Sequence, residues 1–165
     1  MSYYRPSAIR GEVVPVSMHA MANMEFKGLN GALVTLNAKP DGKDIVFWLN
    51  ACARTNKWMQ FTSDIMTIND VTGRPVQEVR LLQFNAFIIT KTNGVRAVHG
   101  ALDKLETPPY AFETCCFWAE LKAVNFRPKK FVVTLPKLIV DGSTVEFPPI
   151  TFESKVAIDF WTDGP

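Results

Sequence analysis

The chain has 165 residues, with 18 basic and 16 acidic side chains for a net charge of +2, and it is 47% hydrophobic and 21% charged. That length suits one domain able to bury a core without metal or disulfide staples, and the near balance of charge excludes the large basic surplus of a dedicated nucleic-acid binder. Twelve phenylalanines, four tryptophans and three tyrosines require an aromatic core or a surface covered by a partner, and the expectation is a partner.

Strands are expected over 12–17 and 21–26, between glycine, proline and asparagine positions. The connection Lys27-Gly28-Leu29-Asn30-Gly31 lacks both glycine-rich phosphate-binding signatures and reads as an ordinary strand link. Asp41-Gly42 suits the type I′ turn of a hairpin. A loop of those two residues sets Ala38 opposite Ile45, Leu36 opposite Phe47 and Val34 opposite Leu49 on an apolar face, with Lys39 facing Asp44 on the other. Trp48 then lies opposite Thr35 on the less apolar face.

Further strands are expected over 57–61, which includes Trp58, and over 65–68. Asn93-Gly94 predicts a second hairpin, pairing Ile89 with Val98 and Thr90 with Ala97 and setting Lys91 opposite Arg96 as a basic tip. Residues 107–126 fit two periods. Thr107-Pro108 suits a helix start and Phe112, Cys115, Cys116, Ala119, Ala123 and Phe126 share a helical stripe, whereas the Thr, Cys, Phe and Trp content favours a strand. Asp141-Gly142 predicts a third hairpin with Leu138 opposite Val145 and Lys137 opposite Glu146, ending where Pro136 and Pro148 remove ladder donors. A last strand is expected over 150–160, and the aromatic and acidic residues 158–165 are expected to be held by the domain's own sheet or by a neighbouring subunit.

Chemistry-bearing groups are sparse. Only His19 and His99 supply imidazole, and the one conceivable nucleophile pair is His99 with Cys115 or Cys116. Glu113 and Glu120 read as solvated acids rather than an acid-base pair. The chain has no Cys-x-x-Cys, His-x-x-x-His or calcium-loop spacing, so no metal or cofactor is expected. Cys52, Cys115 and Cys116 are odd in number and two are adjacent, which predicts free thiols in a reducing compartment. Residues 1–11 hold no apolar run of signal-peptide length, and no stretch reaches the roughly 18 apolar residues of a membrane span. The expected location is the cytoplasm, or a particle assembled there.

One patch stands out. In Asn125-Phe126-Arg127-Pro128-Lys129-Lys130-Phe131 three cations lie between two phenylalanines, the pairing that single-stranded nucleic acid uses for phosphates and bases, and Lys122, Lys91 and Arg96 extend it if the fold brings them near. The competing reading is a solvated basic turn whose rings point into the core. Together these features predict a mainly β fold, an antiparallel sandwich or barrel with hairpin connections forming a single all-β domain over 1–165, with a helix around 107–126 as the alternative to a strand there. The expected role is a non-enzymatic assembly or protein-binding module that self-associates in a larger complex or particle. The alternatives are a single-stranded nucleic-acid-binding protein, and an inhibitor or immunity protein for a specific partner.

Overall fold

Apolar and polar side chains alternate through the centre of the chain, so that Ala32, Val34, Leu36 and Ala38 are buried while Leu33, Thr35, Asn37 and Lys39 face outwards. The computed structural model describes residues 2–16, 21–54, 57–63, 65–80, 84–90, 94–100 and 114–156. The chain begins with β1 (Ser2–Ser7), β2 (Glu12–Val16), β3 (Met21–Leu29), β4 (Ala32–Asp41) and β5 (Asp44–Arg54). It continues through β6 (Met59–Phe61), β7 (Ile65–Asn69), β8 (Pro75–Arg80), β9 (Phe84–Thr90) and β10 (Gly94–Gly100). The last strands are β11 (Thr114–Ala123), β12 (Lys130–Thr134), β13 (Leu138–Val140), β14 (Ser143–Val145) and β15 (Ile150–Val156).

These strands make three antiparallel sheets. Five strands run in the order β1-β15-β12-β7-β8, seven in the order β10-β9-β11-β5-β4-β3-β2, and three in the order β14-β13-β6. The two larger sheets pack face to face around a cluster of rings. Phe131 stacks on Phe152 at 5.4 Å and meets Tyr4 edge-on at 5.1 Å within the five-stranded sheet, and Phe47 reaches Phe131 and Phe152 from the opposite sheet at 6.0 and 6.1 Å. Alanines at 38, 51, 53, 119 and 123 are buried on the seven-stranded side and leave room for those rings. The small sheet joins the same core through Phe61 and Phe147, which meets Phe26 at 5.3 Å.

The described residues contain no helix, and therefore none long and apolar enough to cross a membrane. The helical alternative for 107–126 is thus corrected over its described part, because Thr114–Ala123 is a strand between β5 and β9. Ala119 and Ala123 are four apart and face inwards under either period, so they could not decide. Leu121 does: it is only 3% exposed, which a period of two requires and the helical stripe did not include. Residues 107–113 lie outside the described residues.

The hairpins test the expected registers. At β13–β14, Leu138 faces Val145 and Lys137 forms an ion pair with Glu146, as expected, and both Asp141 (φ 46°) and Gly142 (φ 79°) take the positive φ of a type I′ loop. At β4–β5 the loop is Gly42-Lys43 rather than Asp41-Gly42, since Asp41 faces Asp44 and only Gly42 in the loop has positive φ, as in a type II′ turn. Leu36 therefore faces Leu49 and Ala38 faces Phe47, a displacement of two residues that keeps Val34, Leu36, Ala38, Ile45, Phe47 and Leu49 on the inner face. It also moves Trp48 from Thr35 to Asn37 and Lys39 from Asp44 to Val46. At β9–β10 the pairing closes at Thr90 and Gly94, which leaves three residues between them and sets Ile89 opposite Val95 and Arg96 opposite Ile88. This displacement puts Ile88, not Lys91, opposite Arg96; Lys91 lies outside the described residues, as do 157–165.

Tyr4 shows how the polar edge of the core is closed. Its ring is buried, its hydroxyl donates to the Pro128 carbonyl at 2.7 Å, and desolvation pushes its pKa above 10.0 despite the nearby Arg127. Chemical denaturation should therefore rank Phe131→Ala, at about 3–5 kcal/mol, well above Tyr4→Phe, at about 1 kcal/mol. Equal losses would contradict the central place given to Phe131.

Candidate binding surfaces

The basic residues singled out by the sequence are dispersed by the fold. Lys122 Nζ lies 3.0 Å from carboxylate oxygens of both Asp41 and Asp44. Arg127 donates through Nη1 to the Gly42 carbonyl and through Nη2 to Ser2 Oγ. Asn125 adds its backbone N–H to Asp44 Oδ1 at 2.8 Å. These groups clamp the β11–β12 connection onto the β4–β5 hairpin tip, and the Asn125 N–H together with Lys122 holds the Asp44 carboxyl below its ordinary pKa. Lys129 is exposed, and its carbonyl accepts the Ser154 N–H at 2.7 Å. Lys130 lies outward on β12, opposite Glu153. Arg96 belongs to β10, two strands from β11 in the seven-stranded sheet.

The two phenylalanines of the basic segment turn inwards. Phe131 is fully buried and Phe126 packs edge-on against it at 5.4 Å, so the rings are core and the cations alone face water. Base stacking on this segment is thereby removed.

The tryptophans separate from the phenylalanines. Trp48 is half-buried on the outer face of the seven-stranded sheet and donates from Nε1 to Glu120 at 3.3 Å. Trp118 projects from the same face at 40% exposure, opposite Asn50, with Leu33 also exposed. Around them run Asn50, bonded to Thr35 at 3.4 Å, and Asn37, bonded to Asn23 at 2.8 Å. Trp118 escaped sequence reasoning because its stretch was ambiguous in period; treated as a strand, alternation with the inward Ala119 marks it as outward. Trp58 is elsewhere, its backbone N–H and carbonyl both bonded to Asp141 and its ring packed on the core.

The cysteines overturn an expectation. Cys52 on β5 and Cys116 on β11 face each other directly, with Cα atoms 4.1 Å apart, and form a disulfide. The adjacency of Cys115 and Cys116 gives no local sign of a partner 64 residues distant. The bridge removes two of the three thiols on which a reducing compartment was argued, and it leaves Cys116 without a thiol for a catalytic pair. The side chains of Cys115 and His99 lie outside the described residues. No group of three or more potential metal ligands converges among the described residues.

The sheet edges differ in kind. A proline cannot donate to an added strand, and Pro6 in β1, Pro75 in β8 and Pro15 in β2 occupy three of the four edges of the larger sheets. The fourth, β10, reads Gly-Val-Arg-Ala-Val-His-Gly and has none.

No family model, curated protein or solved structure matches the chain.

Two measurements check this chemistry. Thiol titration of the denatured, unreduced protein should find one thiol per chain, the three cysteines less the bridged pair, and three after reduction; three from the start would refute the bridge. Among the described residues four carboxyls are held below their ordinary pKa: Asp44 chiefly by the Asn125 N–H, Asp70 by the Thr72 hydroxyl, Glu146 by Lys137 and Glu153 by Lys155. A depressed folded pKa gives stability that is complete above the ordinary values of 3.8 and 4.5 and drains as pH falls through the folded values. Thermal midpoints should therefore hold steady down to about pH 5 and drop below it, and Asp44→Asn should soften that drop. An unchanged acid slope in the variant would remove Asp44 from the account.

Proposed function

We propose that the chain is a non-enzymatic assembly module that associates with copies of itself by adding sheet edge to sheet edge. The carrying observation is the uneven distribution of proline, which interrupts β1 and β2, stands at the start of β8 and leaves β10 open among the described residues. An antiparallel β10–β10 pairing satisfies backbone donors and acceptors that an isolated edge leaves to water, and it is self-complementary, as a two-fold interface must be. The modest net charge of +2 lets copies approach without strong repulsion.

The surface around Trp118 and Leu33 is the other route to association, because exposed apolar side chains on a sheet face suit burial against a partner. Light scattering distinguishes the routes. The expected mass at micromolar concentration is a multiple of 18.5 kDa. Ala97→Pro, within β10, should return it to the monomer while Trp118→Ala leaves it assembled. The reverse pattern would transfer the interface to the tryptophan face, and a monomer at every concentration would end the proposal.

A further inference from the structure

A cleft of about 320 Å³ opens on the five-stranded sheet, away from the tryptophan face. Its chemistry follows from the register. Arg5 on β1, Glu153 on β15 and Lys130 on β12 stand directly opposite one another in a row across three adjacent strands. Ser7 and Thr151 form a paired position two residues along, and Lys155, Pro6 and Val13 of β2 complete the lining. Lys155 pairs with Glu153 at 2.9 Å. Among the described residues neither Arg5 nor Lys130 has an ion-pair partner within bonding distance.

Three cations around one carboxylate give this cleft a charge of 3 − 1 = +2, as large as that of the whole chain. Such a local excess of positive charge attracts anions. Arg5 and Lys130 flank the cleft two strands apart, a backbone separation of roughly 10 Å, so their flexible ends can converge on a single group between them. The hydroxyls of Ser7 and Thr151 add neutral donors beside those cations. A compact, multiply charged oxyanion with several acceptor atoms fits this set better than a single carboxylate, which Glu153 already supplies.

We propose that the cleft bounded by Arg5, Lys130 and Lys155 binds a phosphate group. The inference stands apart from self-association, since neither β10 nor Trp118 contributes to it. The group has two sources, free phosphate and the phosphodiester of a nucleic-acid strand, and the experiment separates them. Amide chemical shifts are followed at low salt while inorganic phosphate, and separately a short oligothymidylate, is added. The strongest changes are expected at Ser7, Lys130, Thr151 and Glu153. Saturation by both probes identifies recognition of the group itself, and saturation by the oligonucleotide alone identifies the phosphodiester. The double variant Arg5→Ala/Lys130→Ala should weaken binding about tenfold or more, with a shallower salt dependence. Glu153→Gln should tighten it, and Lys39→Ala on the opposite sheet should leave it unchanged. No binding of either probe by the unmodified protein, or equal binding by the double variant, overturns the proposal.

Discussion

The stack of Phe131 on Phe152, with Phe47 reaching across from the other sheet, is the contact on which the arrangement depends. Burying a phenylalanine completely is a large gain, and in a strand it commits both neighbours to the opposite face. Phe131 inwards places Lys130 and Val132 outwards; Phe152 inwards does the same for Thr151 and Glu153. The charged row on the five-stranded sheet is therefore a consequence of ring packing beneath it. The same packing explains why the Phe126–Phe131 segment offers cations without stacking platforms.

Aromatic type goes with position over most of the described core, Phe126 alone among its phenylalanines being half-buried. Phe26, Phe47, Phe61, Phe131, Phe147 and Phe152 are buried, whereas Trp48 and Trp58 are half-buried and Trp118 is exposed. A phenylalanine has no polar atom to satisfy, but an indole N–H buried without a partner is unfavourable, and at Trp48 it finds Glu120 near the surface. Much of the aromatic surplus that suggested a covered surface is thus consumed by the core. The tryptophan face and the open edge, rather than composition, now carry the argument for a partner.

Legibility in the sequence followed the range of the interaction. The β13–β14 hairpin was readable because Asp141 and Gly142 both accept positive φ and the flanking residues agree on one register. The β4–β5 faces were readable although the turn was misplaced, because a two-residue displacement conserves alternation; the three-residue link between β9 and β10 does not, and there the expected residue pairs differ from those formed. Strands β1 and β8 passed unnoticed because Pro6 and Pro75 argue against a strand unless it lies at an edge, and edge position is a property of the finished sheet. The Cys52–Cys116 bridge, the Trp48–Trp118 face and the Arg5–Lys130 row all join residues far apart in sequence. Each requires the strand order, which no local pattern contains.

That order also relates the two proposed surfaces. Antiparallel pairing of β10 from two copies implies a two-fold axis perpendicular to the joined sheet, since strands that run oppositely within one continuous sheet are exchanged by that rotation. Such an axis does not turn the sheet over, so both copies keep their five-stranded sheets on the same side. The two basic clefts would then share one face of the dimer and the two tryptophan surfaces the other. Because Val13 of β2, the edge opposite β10, also lines the cleft, the pairing would set the two clefts at the outer ends of the dimer, roughly 60 Å apart at the usual strand spacing, and only a ligand long enough to span that distance would engage both. At that separation, several times the roughly 8–10 Å over which salt screens charge, each cleft would act through its own field, so edge pairing would add a second site rather than strengthen the first.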